Sequence, residues 1–252
     1  MASAGKLYVR EIYSRFQYLA AWLPNANLSL GDVGVHEGGR FKRMSALKDL
    51  GLPFRVRIGT NPIDFTYTSE SGVTVATKIG GKVAAGTSLP LGQADISIQF
   101  SRKGAFLFQA IGCSTEEIED KMALGQVIIR LVKEGSWEPS WAVVDTLVRA
   151  DTATIVLSNS RTGAVELTAK APVSVANLAN VAVGLSVTSQ TGDIIRFIAA
   201  KGLSPLFRLS KVKQSFLSKI VGGTEGITFG GADSDDEVSA EGNENPLEAV
   251  VP

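Results

Sequence analysis

Apolar positions near the start of the chain recur at helical spacing. Tyr8, Ile12, Phe16, Leu19 and Leu23 fall three or four residues apart. They form one stripe of an amphipathic helix predicted over residues 6–23 and stopped by Pro24. Lys6, Arg10 and Arg15 lie off the stripe. Such a helix either packs on a sheet or lies on a membrane surface, where aromatic and basic residues occur together; packing is the commoner use. A short helix is expected at residues 45–50, closed by Gly51 with Pro53 beyond it.

From Arg55 the period changes to two. Arg55 and Arg57 alternate with Val56 and Ile58, which suits a strand with one wet, basic face. Strands are predicted at 66–68, 73–79, 95–100 and 105–110. In the third, Ile96, Ile98 and Phe100 share a face, and Arg102-Lys103-Gly104 reads as a hairpin turn to the fourth. Ser114 followed by Glu117 has the spacing of a capping box. With Glu116, Glu119 and Asp120 beside it, this predicts a helix whose dipole welcomes the acids, with Ile118, Met122, Ile129 and Val132 turned inward.

Strands resume at 141–144, 153–157, 165–169, 181–187 and 194–199. Val165, Leu167 and Ala169 alternate with Glu166, Thr168 and Lys170, the pattern of a half-buried antiparallel strand. The segment 205–220 carries Phe207, Leu209, Phe216, Leu217 and Ile220 among Arg208, Lys211, Lys213 and Lys219. The pattern therefore specifies an α+β fold: a twisted, largely antiparallel β-sheet with an N-terminal amphipathic helix, a central helix and a C-terminal basic helix. One domain over 1–221 is expected, then a Gly-rich linker and disordered acidic tail over 222–252.

Composition sharpens this picture in two places. Glycine is frequent, at 26 of 252 residues, as a β fold with many tight turns requires. The formal charge of zero hides an asymmetry. Seven of the 25 acidic residues and no Lys or Arg lie in 231–252, leaving 18 acidic against 25 basic residues in 1–230. A body of +7 suits an anionic surface, and a tail of −7 either screens it or simply confers solubility. The single cysteine, Cys113, excludes a disulfide framework, and neither a secretory leader nor an 18-residue apolar run is visible. A cytoplasmic protein is expected.

Candidate chemistry is sparse. One histidine, His36, stands in a Gly-flanked segment near Asp32, so a Ser-His-Asp triad could use only that imidazole. One His and one Cys cannot supply a zinc or iron ligand set, so no metal and no cofactor are expected. Gly80-Gly-Lys-Val-Ala-Ala-Gly86 lacks the Lys-Ser/Thr ending of a phosphate loop and reads as a turn. Phe41-Lys-Arg and Phe54-Arg-Val-Arg interleave aromatic and basic residues without a nucleic-acid signature, and no nucleic-acid partner is expected. Cys113 reads as a buried structural residue.

The order of elements over residues 6–220 resembles the pore-forming domain of gasdermins, especially the short bacterial kind. A basic amphipathic first helix is followed by alternating strands around a central helix. The stretch Trp141-Ala-Val-Val-Asp-Thr-Leu-Val148, followed by Ala153-Thr-Ile-Val-Leu-Ser158, is similar to that family's later strand pairs. Gly202-Leu-Ser-Pro-Leu-Phe207 is similar to the end of its domain. The resemblance implies a latent pore former, not an enzyme, released by proteolytic removal of a C-terminal inhibitory segment and acting in cell death or antiviral defence. Its partners would be an activating protease, anionic membrane lipids and further copies of itself, at the inner face of the cell membrane. Lys6, Arg10, Arg15, Arg208, Lys211, Lys213 and Lys219 would contact lipid. Ile227, Phe229, Asp233, Asp235, Asp236 and Glu237 would belong to the inhibitory segment. The alternative is a non-catalytic interaction or adaptor module with an acidic docking tail.

Overall fold

The computed structural model describes residues 3–79, 82–83, 94–170, 177–180, 184–222 and 245–252. In chain order, α1 (Ala4–Phe16) leads to β1 (Leu19–Ala20), β2 (Asp32–Glu37), β3 (Arg40–Ala46), β4 (Val56–Ile58) and β5 (Ile63–Thr68). Next come β6 (Val73–Ile79), β7 (Lys82–Val83), β8 (Ala94–Phe100), β9 (Phe106–Ile118) and α2 (Lys121–Lys133). The remainder is β10 (Ala142–Arg149), β11 (Thr152–Ser158), β12 (Gly163–Ala169), β13 (Ser186–Thr191), β14 (Ile194–Lys201), β15 (Leu206–Val212), α3 (Gln214–Gly222) and β16 (Leu247–Ala249). The fold is α+β, and among the described residues every strand pair is antiparallel.

The described residues form two sheets. The larger runs β1-β15-β10-β9-β11-β14, with β16, β2, β3, β4 and β5 attached along it; the smaller runs β13-β12-β8-β6-β7. β9 is the spine. One of its edges carries β11 and then β10, the other β5 and then β4. The change of partner falls at Gly112, whose φ of +61° admits a bulge, and its N–H donates to Asp64 Oδ1 at 2.9 Å. Helix α1 lays Tyr8, Val9 and Ile12 on Phe106, Phe108, Ile155 and Leu147. Helix α2 packs Leu124 and Ile128 with Val143 and Val212, and Val143 faces away from its neighbour Val144, which belongs to the α1 side. A third core, with Ile96, Ile98, Val165 and Leu167 from the small sheet and Leu107 and Val156 from the large one, joins the two sheets.

Four strand paths cross from one sheet into the other: β5 to β6, β9 to β8, β11 to β12, and β14 to β13. Arg102 and Gly104 therefore do not close a hairpin, because β8 and β9 do not pair with each other. They turn a corner between sheets. At that corner the two central paths keep one register. The β9·β11 pairs run from Ile111↔Thr152 to Phe106↔Leu157, and the β8·β12 pairs from Phe100↔Gly163 to Ala94↔Ala169. Paired residue numbers sum to 263 throughout both ladders. The β9·β11 ladder extends one pair further, with Ser158 N–H donating to Ala105 O at 3.0 Å, and residues 101–104 and 159–162 then turn the corner, where Ala105 N–H donates to Arg102 O at 3.2 Å. Residues 94–111 and 152–169 are thus one bent antiparallel ribbon. Its apolar parity also passes through the corner: Ala153, Ile155 and Leu157 before it, Val165, Leu167 and Ala169 after it, all buried.

Several local expectations give way to tertiary pairing. The first helix ends at Phe16, where Gln17 turns left-handed at φ 58°, so that Leu19 and Ala20 pair with Phe207 and Leu206. No helix forms at 45–50; Ala46 ends β3 and a hydrogen-bonded turn follows. Ser114 and Glu117 belong to β9, and α2 starts after Asp120, whose carboxylate accepts from Ala123 N–H at 2.8 Å. The acids expected at a helix start are cross-strand partners instead: Glu116 with Arg149 at 2.5 Å, Glu117 with Arg57 at 2.6 Å, and Glu119 with Arg55 at 3.0 Å. The C-terminal basic helix shortens to α3, because Leu206, Phe207 and Leu209 are buried as a strand beside β10. The expected disordered tail is corrected at its end: residues 245–252 pack on the domain through β16, and residues 223–244 lie outside the described residues. The predicted turn at Gly80–Gly86 lies mostly outside the described residues, only Lys82 and Val83 being placed, in β7.

Candidate functional site: the strand ribbon, its basic surfaces and its C-terminal cover

The cations expected at lipid form two groups rather than one patch. Lys6, Arg10 and Arg15 are all exposed on α1, but not on one side of it: Lys6 and Arg10 adjoin His36 and the Gly38-Gly39 turn, whereas Arg15 lines a separate cleft with Glu11, Tyr67, Glu70 and Arg102. The second group lies on and after β15. Arg208 is half-buried; its Nε donates to Gln17 O at 3.2 Å and its guanidinium sits 4.2 Å from the centre of the Tyr18 ring. That position ties β15 to the end of α1. Lys211 lies 3.5 Å from Glu248. Lys213 donates its backbone N–H to Pro246 O at 2.9 Å. Only Lys219 lies on α3, and its side chain is outside the described residues.

The inhibitory residues Ile227, Phe229, Asp233, Asp235, Asp236 and Glu237 also lie outside the described residues. The segment that docks is later in the chain. β16 pairs Leu247, Glu248 and Ala249 with Val212, Lys211 and Ser210, on the edge of β15 that β1 covers further along. Leu247 is 5% exposed and joins the α2 core. Pro246 sits so close to Gly125 of α2 that a methyl group there would lie 2.6 Å from the proline Cγ. Beyond the strand, Val251 and Pro252 line one cleft with Lys6, Arg10, His36 and the Gly38-Gly39 turn. A readable signal existed: Leu247, Ala249 and Val250–Val251 are the apolar end of an acidic segment, following a proline.

A second clasp sits at the corner. Glu11 of α1 accepts from Arg102 at 2.9 Å and from Ser69 Oγ at 2.9 Å, so one carboxylate holds the corners of two neighbouring strand paths. A third polar cluster is buried beneath α2. Asp145 accepts from Lys121 Nζ and Thr146 Oγ1, both at 2.7 Å, and from Ser210 Oγ. It occupies the irregular position in the β10·β15 ladder, between Val144 and Thr146.

No catalytic constellation assembles around the histidine among the described residues. His36 is on β2 opposite Phe41, and burial pushes its pKa down. Asp32, on the same strand, is committed to Arg43 at 2.8 Å and to Ser29 N–H at 2.8 Å. Cys113 is buried on β9, where burial, then Asp64 and Asp151, pushes its thiol up to about 12. Among the described residues no cluster of three or more His, Cys, Asp and Glu is placed to hold a metal, and no helix is long and apolar enough to cross a membrane. The second observation leaves strands aside. What the fold defines is a two-sheet α+β domain with a continuous ribbon bent between its sheets. No protein-family model matches the chain, and no curated protein matches it.

Proposed function

We propose that this is a latent membrane-perforating protein in which the bent strand paths straighten into membrane hairpins. The observation that carries this reading is the constant register of the β8–β9/β11–β12 ribbon together with the matching apolar parity of its two arms, interrupted only at the corner by Arg102, Asn159 and Arg161. A membrane strand needs about 9–11 residues, apolar on the lipid side and polar on the other. Residues 94–111 and 152–169 supply that length, paired in one register on either side of the corner, so straightening requires no re-registration. β5–β6 and β13–β14 flank the ribbon, giving four adjacent paths. Copies would have to close a ring so that no strand edge meets hydrocarbon.

In this reading the C-terminal segment is the restraint. β16 caps the Ser210–Val212 edge, Glu248 engages Lys211, and Val251 and Pro252 adjoin Lys6 and Arg10. A protease cutting between α3 and β16 leaves β16 held only by its own contacts. Anionic lipid then competes for the exposed cations, in a cell-death or defence setting. A second reading, a non-catalytic interaction module, is favoured by the exposed Val56, Ile58 and Ile63 along β4 and β5.

Liposome leakage separates the two. A full-length chain with a protease site introduced between residues 223 and 244 should be inert intact and should release dye from anionic vesicles once nicked. A nicked chain that stays monomeric and leaves the vesicles intact would sink the pore reading and favour the module.

A further inference from the structure

The turn Asn177–Asn180 belongs to the connection between β12 and β13. Leu178 and Ala179 are fully buried, and Leu178 joins Leu107 and Val156 in the core between the sheets. Side chains of the large sheet hold its backbone. Thr154 Oγ1 donates to Leu178 O at 2.7 Å, and Thr152 Oγ1 donates to Ala179 O at 2.7 Å. Gln109 Oε1 accepts from Ala179 N–H at 3.2 Å. Thr154 Oγ1 accepts in turn from Ala199 N–H at 2.9 Å, in β14. Gln109 and Thr154 are register partners on β9 and β11.

Three polar side chains, each 5% exposed or less, are a costly choice on two central strands. Leu107 and Val156 show that apolar residues fill neighbouring positions of the same face. The three lie on the parity opposite Ile155 and Phe108, a parity they share with Leu107 and Val156 and which in the other arm of the ribbon carries Ser97, Gln99, Glu166 and Thr168. Resting on the pore reading, we propose that Asn177–Asn180 is an internal plug. It occupies the face of β9 and β11 that becomes the water-lined wall, where Gln109, Thr152 and Thr154 stand. While the plug is in place, its backbone satisfies those three groups. Once it leaves, water does. Because the turn lies in the β12–β13 connection, its withdrawal must precede extension of that hairpin.

Two measurements test this, in the full-length nickable chain carrying Cys113→Ala. With Thr154→Cys, a membrane-impermeant thiol reagent should leave the latent protein unlabelled, label the assembled pores and slow their dye release at least twofold. With Ile155→Cys, of the opposite parity, labelling should stay below a tenth of that level in both states. Separately, Thr152→Cys with Ala179→Cys, oxidised and verified as cross-linked, should hold leakage below a tenth of the reduced sample, with recovery on adding dithiothreitol. Full leakage from the cross-linked protein, or labelling at 155 and not at 154, would overturn the plug while leaving the pore reading intact. Absence of leakage from the nicked Cys113→Ala parent would remove the pore reading, and the plug with it.

Discussion

At the scale of single residues, the costliest groups are those buried with charge. Asp145 is 3% exposed and Lys121 reaches it from the first turn of α2, so the pair fastens that helix to the irregular point of the β10·β15 ladder. Lys121→Met would leave the carboxylate buried without its cation and should cost about 3 kcal/mol, read as a lowered urea midpoint. Combining it with Asp145→Asn should restore most of the loss, since an amide needs no counter-charge. Cys113 gives a pH-dependent counterpart. Its thiol is pushed up to about 12, above an unfolded value near 8.5. Folding therefore favours the neutral form: that contribution is complete below the unfolded pKa and is lost as pH rises towards the folded one. Cys113→Ala should flatten the alkaline fall in stability, leaving the part due to Tyr8, whose hydroxyl burial also pushes up. Neither role was legible in the sequence. Asp145 read as one more residue in a predicted strand, and its partners come from two other elements. Cys113 was legible as buried, but the acids that help raise its thiol, Asp64 and Asp151, come from other segments of the chain.

At the scale of elements, alternation and burial were readable, whereas pairing was not. Ile96, Ile98 and Phe100 share a buried face as their period required, and so do Val165, Leu167 and Ala169. The failures came where a local signal competed with a long-range partner. Ser114 and Glu117 offer a capping box, yet β9 continues through them because β4 and β10 pair on both of its edges. The corner at Arg102–Gly104 looks like a hairpin turn because its residues are those of a turn; only the partners of β8 and β9 reveal that it joins two sheets. Element scale is also where the C-terminal cover can be tested without cutting the chain. Any Cβ added at Gly125 would stand 2.6 Å from Pro246 Cγ and 3.1 Å from Leu247 Cγ, and Gly125→Val adds two further methyls beyond it. The glycine also costs α2 about 1 kcal/mol relative to alanine. Gly125→Ala should therefore leave α2 helical by circular dichroism while β16 loosens, and Gly125→Val should loosen it further. Faster hydrogen exchange at the Val250 amide, which donates to Leu209 O at 2.9 Å, is the expected readout. Unchanged protection there would mean that β16 is held by pairing to β15 alone.

At the scale of the whole molecule, the question is where a body of +7 meets an anionic surface. Arg208 and Lys211 already have partners in the fold, in Tyr18 with Gln17 and in Glu248. Lys6, Arg10 and Arg15 of α1 are exposed, the first two beside the Gly38-Gly39 turn and Arg15 beside Tyr67 and Glu70. Each cation near an anionic bilayer contributes about 1 kcal/mol. The triple variant Lys6→Gln, Arg10→Gln, Arg15→Gln should therefore weaken vesicle binding of the nicked chain by roughly 3 kcal/mol, about a hundredfold in partitioning at low salt. Arg208→Gln should act differently. Its loss loosens the junction between α1 and β15, lowering thermal stability while changing partitioning little. Exposed charges are screened over a Debye length of about 8 Å at physiological ionic strength, and over less at higher salt. The gap between parent and triple variant should therefore narrow as salt is raised, whereas an apolar insertion step would not weaken. Sedimentation with anionic vesicles across a salt series measures both. Equal partitioning of parent and triple variant at low salt would place first contact elsewhere than α1, and the β15 cations would then have to exchange their partners in the fold for lipid.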